Sequence, residues 1–340
     1  MSSQSSVVNV RDCPICDSKK HHVWYRITYE HLCKYWGREP EYLESYGFGE
    51  DDTIDIVCCE DCGMYYNRTH SNWAYRDYLK NLGKPPVRSE GREPSKYHLW
   101  GAENRLATVV MSLRMLLKKK NTIFLRDANL KVLDYSCGSG NVINYFKMLG
   151  VQDVFGYDIR NTLVDNFYGK FISDQEELMR KAPFDIIVNE ASLEHYDRPM
   201  ERLMHMRSLL APNGILLLAI PFMPYYKFPR YKAADLQVEE AKGYFHERHI
   251  NHFSISKFPD LMKRSRMKIL PIVEGPYWLS PYINLNDRQS IIDMAKRILV
   301  ECLRLVFSPV FMKRNWFPER FRHLFFTSFF VCARDDTPVQ

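Results

Sequence analysis

With 340 residues, 46% of them hydrophobic and 14% aromatic, the chain has enough apolar mass for a full α/β core and a second, smaller module, which excludes a disordered or fibrous protein. Its formal net charge of +6 comes from interspersed acids and bases, so no nucleic-acid partner is expected, while a small anionic substrate remains compatible. The opening MSSQSSVVNV lacks the apolar centre of a signal peptide and no apolar run is long enough to span a bilayer, so a cytoplasmic location is expected, where nine cysteines suit metal ligands or buried thiols better than disulfides.

The first module, residues 1–80, opens with CPIC (Cys13, Cys16) and closes with VCCEDCG (Cys59, Cys62). Two C-x-x-C knuckles supply four thiolates for a tetrahedral, closed and therefore structural Zn²⁺ site. Cys58 competes for one ligand position, and the adjacent His21 and His22 compete more weakly. A Pro-, Gly- and charge-rich stretch around GKPPVRSEGREPS marks a linker over 81–101. From Ala102 to Lys119, Leu106, Val109, Val110, Leu113, Leu116 and Leu117 recur at helical spacing, and Lys118, Lys119 and Lys120 suit the negative end of that helix dipole.

The second domain, 102–335, carries the segment VLDYSCGSG. Its apolar run over Val132, Leu133 and Tyr135 predicts a buried parallel strand, Gly138 and Gly140 a turn, and Val142, Ile143, Tyr145, Phe146 and Leu149 a helix. Such a turn lets backbone approach a ligand and aims helix N–H groups at it. The dinucleotide fingerprint G-x-G-x-x-G is broken by Ile143 at the third glycine, which disfavours a nicotinamide or flavin cofactor. A second strand in DVFGYDIR ends at Asp158, where an acid accepts hydrogen bonds from ribose hydroxyls in Rossmann-type folds. In FISDQEEL, Asp174 and Gln175 stand where an adenine amino group would be read; a helix N-cap explains Asp174 equally well. FDIIVNEA, with Asn189 counted among the cofactor contacts, and GILLLAIPF predict the next two strands, and KILPIVEG and TSFFVCAR complete a Rossmann-like, doubly wound α/β sheet of seven strands. A helical insertion near 286–322 carries charges through its apolar pattern, so it reads as amphipathic and suits packing on the domain or on a second copy in a homodimer; docking on a membrane surface is the lesser alternative.

Taken together, the paired knuckles, VLDYSCGSG, GYDI, FDIIVNEASLEHYDRP, PNGILLLAIP and ERHINHFS resemble the class I S-adenosylmethionine-dependent methyltransferases, in particular a zinc-knuckle branch that includes sugar C-methyltransferases and glycan or natural-product methyltransferases. The resemblance implies S-adenosylmethionine as cofactor, bound through Asp134, Ser136, Gly138, Gly140, Asp158, Asp174, Gln175 and Asn189, with Ser136 standing where family members usually carry glycine. In the sugar C-methyltransferases the segment like ERHINHFS holds a Glu-His pair, which maps onto Arg248 and His249. The change of Glu to Arg weighs against C-methylation of a deoxysugar and leaves O- or N-methylation of a sugar or nucleotide-sugar, a carbohydrate-biosynthetic role, with O-methylation slightly favoured.

Methyl transfer from a sulfonium is an in-line displacement, so the protein contributes positioning and, for a hydroxyl acceptor, a general base. His249 is the first candidate base. His195 in LEHYD is the second, with a pocket-shaping role as its alternative, and His252 is read as an acceptor contact. Arg248 suits a phosphate or carboxylate, and the tract PFMPYYKFPRYK offers Tyr225 and Lys227 to a phosphorylated sugar, although a plain surface loop has the same composition. The rival readings are a zinc-knuckle scaffold or nucleic-acid-associated subunit without activity, and an NAD-dependent sugar enzyme, which the loop disfavours.

Overall fold

The computed structural model describes residues 9–45, 48–70, 129–138, 140–148, 150–159, 169–223, 249–254, 257–269 and 327–335. The expected linker 81–101, the helix over 102–119 and the insertion near 286–322 lie outside them, as do Tyr225, Lys227 and Arg248.

The N-terminal part comprises β1 (Asn9–Val10), β2 (His21–Thr28), α1 (Tyr29–Trp36), α2 (Pro40–Ser45), β3 (Thr53–Cys59), β4 (Tyr65–Asn67) and β5 (Thr69–His70). Helix α1 starts where Thr28 accepts a hydrogen bond from the His31 amide and the His31 ring bonds back to the Thr28 amide, and it stops at Gly37, whose φ of 61° few other residues adopt readily. Its apolar face packs Tyr29 and Leu32 against Trp24, Ile27, Leu43, Phe48, Ile54 and Ile56, a small core that belongs to this module alone. Strands β2, β3 and β4 pair antiparallel in sequence order.

The second part contains β6 (Lys131–Tyr135), α3 (Asn141–Met148), β7 (Asp153–Tyr157), β8 (Lys170–Ile172), α4 (Gln175–Lys181), β9 (Phe184–Glu190), a 3-10 turn over Leu193–His195, α5 (Pro199–Leu209), β10 (Leu210–Met223), β11 (Asn251–Ser254), α6 (Phe258–Arg264), β12 (Met267–Ile269) and β13 (Thr327–Arg334). Seven strands run in the order β8-β7-β6-β9-β10-β13-β12, with β13 antiparallel to both its neighbours and the first five parallel. The seven-strand expectation is met, and its central strands read as near-continuous apolar runs because both faces are covered: Val132, Leu133, Ile186, Ile187, Leu216 and Leu218 are all fully buried. Strand β10 begins earlier than GILLLAIPF predicts: Leu210 already pairs with Phe184, and a register shift before Ile215 absorbs the APNG turn into the ladder.

Beyond Pro221, β10 changes partner. Phe222 and Met223 pair parallel with Phe253 and Ser254 of β11, and β11 pairs antiparallel with β4. The small N-terminal sheet is thereby hydrogen-bonded to the large one along a single path, β2-β3-β4-β11-β10. Among the described residues, no helix is long and apolar enough to cross a membrane.

Candidate active site and metal centre

At the carboxyl end of β6 the chain turns sharply. Ser136 and Cys137 both donate their amides to the Tyr157 carbonyl, at 2.7 and 3.1 Å, and the Gly140 amide bonds back to Cys137. Ser136, Gly138 and Gly140 have φ values of 69°, 49° and 79°, the left-handed region that glycine enters without strain. A Cβ built on Gly138 would meet nothing within 4 Å among the described residues, as a backbone cradle for a ligand requires. Asp134 is buried below the turn. Asp158 reaches back and accepts a hydrogen bond from the Gly138 amide at 3.0 Å, so one of its carboxylate oxygens secures the loop. The Ser136 hydroxyl is hydrogen-bonded to the hydroxyl of Tyr196.

Asn189, fully buried near the end of β9, donates to the Tyr135 carbonyl at 2.9 Å and to Ser192, while its own amide oxygen has no hydrogen-bond partner among the described residues. Asp174 is the N-cap of α4, accepting from the Glu177 amide at 2.7 Å, which is the alternative the sequence left open. Gln175 begins that helix and is exposed.

A second cluster lies just after β9. The carboxylate of Glu194 stands 3.9 Å from Nε2 of His195 and 3.9 Å from Nε2 of His249, and the two imidazoles meet edge to face with centroids 4.9 Å apart. Glu194 is 1% exposed, and neither of its oxygens has a hydrogen-bond partner among the described residues. Burial, reinforced by the nearby Glu190, pushes its carboxyl up to about 8, so near neutral pH it holds a proton. The structure thus brings His195 and His249 together, and adds an acid that sequence reasoning passed over although SLEHYDRP displays it beside a candidate histidine.

His252 is a correction. It is fully buried, its Nε2 is 2.8 Å from Oδ1 of Asn67, and burial lowers it to about 3, so it is a neutral ring inside the β4–β11 join and not an acceptor contact. The alternation of β11 alone would have placed it on a face; only the pairing with β4 shows that this face is covered.

At the other end of β3, Cys13, Cys16, Cys59 and Cys62 bring their sulfurs within 4.8 Å of one another, with Cys13 to Cys62 at 3.5 Å and Cys16 to Cys59 at 3.6 Å. A tetrahedral Zn²⁺ with bonds of about 2.3 Å has sulfur–sulfur edges of about 3.8 Å, so this spacing fits the ion. The hydrogen bond between Cys13 and Cys62 draws the Cys62 thiol down and pushes the Cys13 thiol up. Cys58 is not in the cluster; its thiol contacts the Cys59 carbonyl at 3.7 Å. His22 lies at the surface, 3.9 Å from Glu60, and His21 is likewise outside the cluster.

A family model described as a methyltransferase domain matches residues 104–269. No curated protein matches the chain. Among solved structures, the plantazolicin methyltransferase BpumL in complex with SAH is 15% identical, covering 69% of this chain and 84% of that one, with a TM-score of 0.42. The magnesium protoporphyrin IX methyltransferase ChlM from Synechocystis PCC 6803, with bound SAM, is 17% identical over 59% of this chain and 88% of that one, TM-score 0.36. A 1,6-didemethyltoxoflavin-N1-methyltransferase from Burkholderia thailandensis is 14% identical over 65% and 87%, TM-score 0.37.

Proposed function

We propose that this chain, whose residues 104–269 match a methyltransferase-domain model, is a class I S-adenosylmethionine-dependent methyltransferase that methylates a hydroxyl of a small anionic sugar or nucleotide-sugar, with His249 as the base. The observation that carries this reading is the Glu194, His195 and His249 cluster, which gathers two imidazoles and a carboxyl just beyond the carboxyl ends of the parallel strands. Ligands of open α/β sheets bind at that edge.

S-adenosylmethionine, when bound, supplies a methyl group activated by positive sulfur. The residues present fit it: the left-handed turn at Gly138 and the buried amide oxygen of Asn189, which has no hydrogen-bond partner among the described residues, provide a close backbone approach and an acceptor. In this reading the Asp158 carboxylate faces the ribose hydroxyls, Asp134, Ser136 and Gly140 border the methionine end, and Asp174 and Gln175 face the adenine. His249 would take the proton of the acceptor hydroxyl as that oxygen is methylated. His195 holds the second imidazole position, and Arg248, Tyr225 and Lys227 bind the acceptor's anionic group. The proposal includes a structural Zn²⁺ on Cys13, Cys16, Cys59 and Cys62, for which the sulfur spacing is the support.

Calorimetry tests the cofactor: S-adenosylmethionine binds and NAD does not, and Asp158→Ala weakens binding by roughly 1–3 kcal/mol, the usual effect of losing a buried acceptor. Mass spectrometry of candidate nucleotide-sugars after incubation tests the acceptor through a gain of about 14 Da, the methylene that methyl transfer adds. With an acceptor in hand, His249→Ala keeps cofactor affinity and loses turnover by roughly 10²–10⁴-fold. Near-normal turnover in that variant would move the base to His195.

A further inference from the structure

His249 is the residue that leads into β11, and its backbone is held from the N-terminal module. The side chain of Asn67, 3% exposed at the end of β4, donates from Nδ2 to the His249 carbonyl at 3.2 Å. That bond fixes the amide's orientation, so its Oδ1 must face His252 and accept the Nε2–H of the neutral ring. The Asn67 amide donates to the Ile250 carbonyl at 3.0 Å. Both ends of one side chain and its backbone thus grip residues 249–252.

Arg11, two positions before the first knuckle cysteine, completes the grip. Its Nε donates to the Asn67 carbonyl at 2.9 Å, and its Nη2 to the Ile250 carbonyl and, at 2.9 Å, to Oδ1 of Asn251. Its Nη1 reaches the Asp197 carbonyl at 3.2 Å. The guanidinium carries its charge near neutral pH, which makes these hydrogen bonds charge-assisted. Asn251 in turn donates to the carbonyls of Leu193 at 3.2 Å and Tyr196 at 2.7 Å, and the Ile250 amide donates to the Glu194 carbonyl at 3.0 Å. One continuous network therefore runs from the module that carries the cysteines to both halves of the Glu194, His195 and His249 cluster.

We infer that Asn67 and Arg11 are positioning residues for the acceptor-site histidines, setting the spacing of His249 against Glu194 and His195 through the β4–β11 join, so that the N-terminal module is a structural half of the catalytic site. This rests on the acid–base reading of the cluster. Both residues act through the backbone of 249–251 and through the turn that Asn251 holds.

The test needs no acceptor. In the full-length chain, the ring signals of His195 and His249 are followed by NMR from about pH 5 to about pH 9, across the range in which imidazole titrates. The parent, Asn67→Ala, Arg11→Lys and Glu194→Gln are compared, with thermal melts confirming that each is folded. With the spacing lost, the His249 midpoint in Asn67→Ala and Arg11→Lys moves by about half a pH unit or more toward the value in Glu194→Gln, where the neighbour carries no titrating proton. A folded variant whose midpoints coincide with the parent's overturns the assignment. So does loss of folding in both variants, which would make the network a support of the fold alone. Failure of the base reading shows up separately, as undiminished turnover in His249→Ala.

Discussion

Gly156 sits in β7 where a side chain has no room: a Cβ there would lie 2.4 Å from Cδ1 of the fully buried Ile143 and 2.9 Å from Sγ of Cys137. Gly156→Ala is therefore expected to destabilise the protein by about 1–3 kcal/mol in thermal or denaturant melts and to weaken S-adenosylmethionine binding, because the crowded atoms belong to the turn itself and to α3 behind it. Ser136 presents a gentler case, since its left-handed backbone costs about 1 kcal/mol relative to glycine and its hydroxyl bond to Tyr196 returns a similar amount. Glu194 supplies a pH dependence. Its folded value of about 8 stands above the ordinary 4.5, so the folded state keeps a proton that the unfolded chain releases; the stability Glu194 contributes is fully present below about pH 4.5 and is lost as pH rises toward 8. Melts of the parent and of Glu194→Gln across that window should diverge, the parent losing on the order of a few kcal/mol relative to the variant as pH rises. Parallel melting curves would remove the buried-carboxyl assignment.

At the scale of elements, the second knuckle is a strand end. Cys59 closes β3 and its amide bonds to the Met64 carbonyl, while the Gly63 amide bonds back to Cys59, so the Cys59–Cys62 turn is preset by backbone and turns both thiols toward Cys13 and Cys16. Cys58, next to it in sequence, falls outside the cluster because successive residues of a strand point to opposite faces. Elemental analysis is expected to give about one zinc per chain, as a four-thiolate site requires. Cys58→Ser should leave that content unchanged, whereas Cys59→Ser should lose the metal together with the order of the β2-β3-β4 sheet. The opposite pattern would shift the knuckle by one residue.

For the whole molecule, the continuous path β2-β3-β4-β11-β10 is expected to couple the unfolding of the two parts. Thermal melts of the metal-loaded chain should show one transition, and removing metal with a chelator should lower that transition as a whole; two separate transitions, only one of them metal-sensitive, would contradict the coupling. His252 adds a second pH dependence of opposite sign to that of Glu194. Its folded value of about 3 lies below the ordinary 6.5, so the stability it contributes is present above about pH 6.5 and is lost as pH falls toward 3. The strands were legible because a parallel sheet covered on both faces demands long apolar runs, and VLDY, FDIIVN and ILLLAI are such runs. The glycine turn was legible because few residue types tolerate its backbone, and the knuckles because a C-x-x-C spacing has few other uses. Burial of single polar residues was not legible. Glu194 and His252 look like ordinary polar positions in their strings, yet one is enclosed beside two histidines and the other lies sealed under a strand more than a hundred residues away in the chain. Local periodicity and spacing were enough for the sheet, the glycine turn and the thiol set. It took the folded chain to bring Asn67 and Arg11 onto residues 249–251, to stand Glu194 beside His195 and His249 and to bury His252, because those outcomes depend on which distant backbone fills the remaining hydrogen bonds of β11.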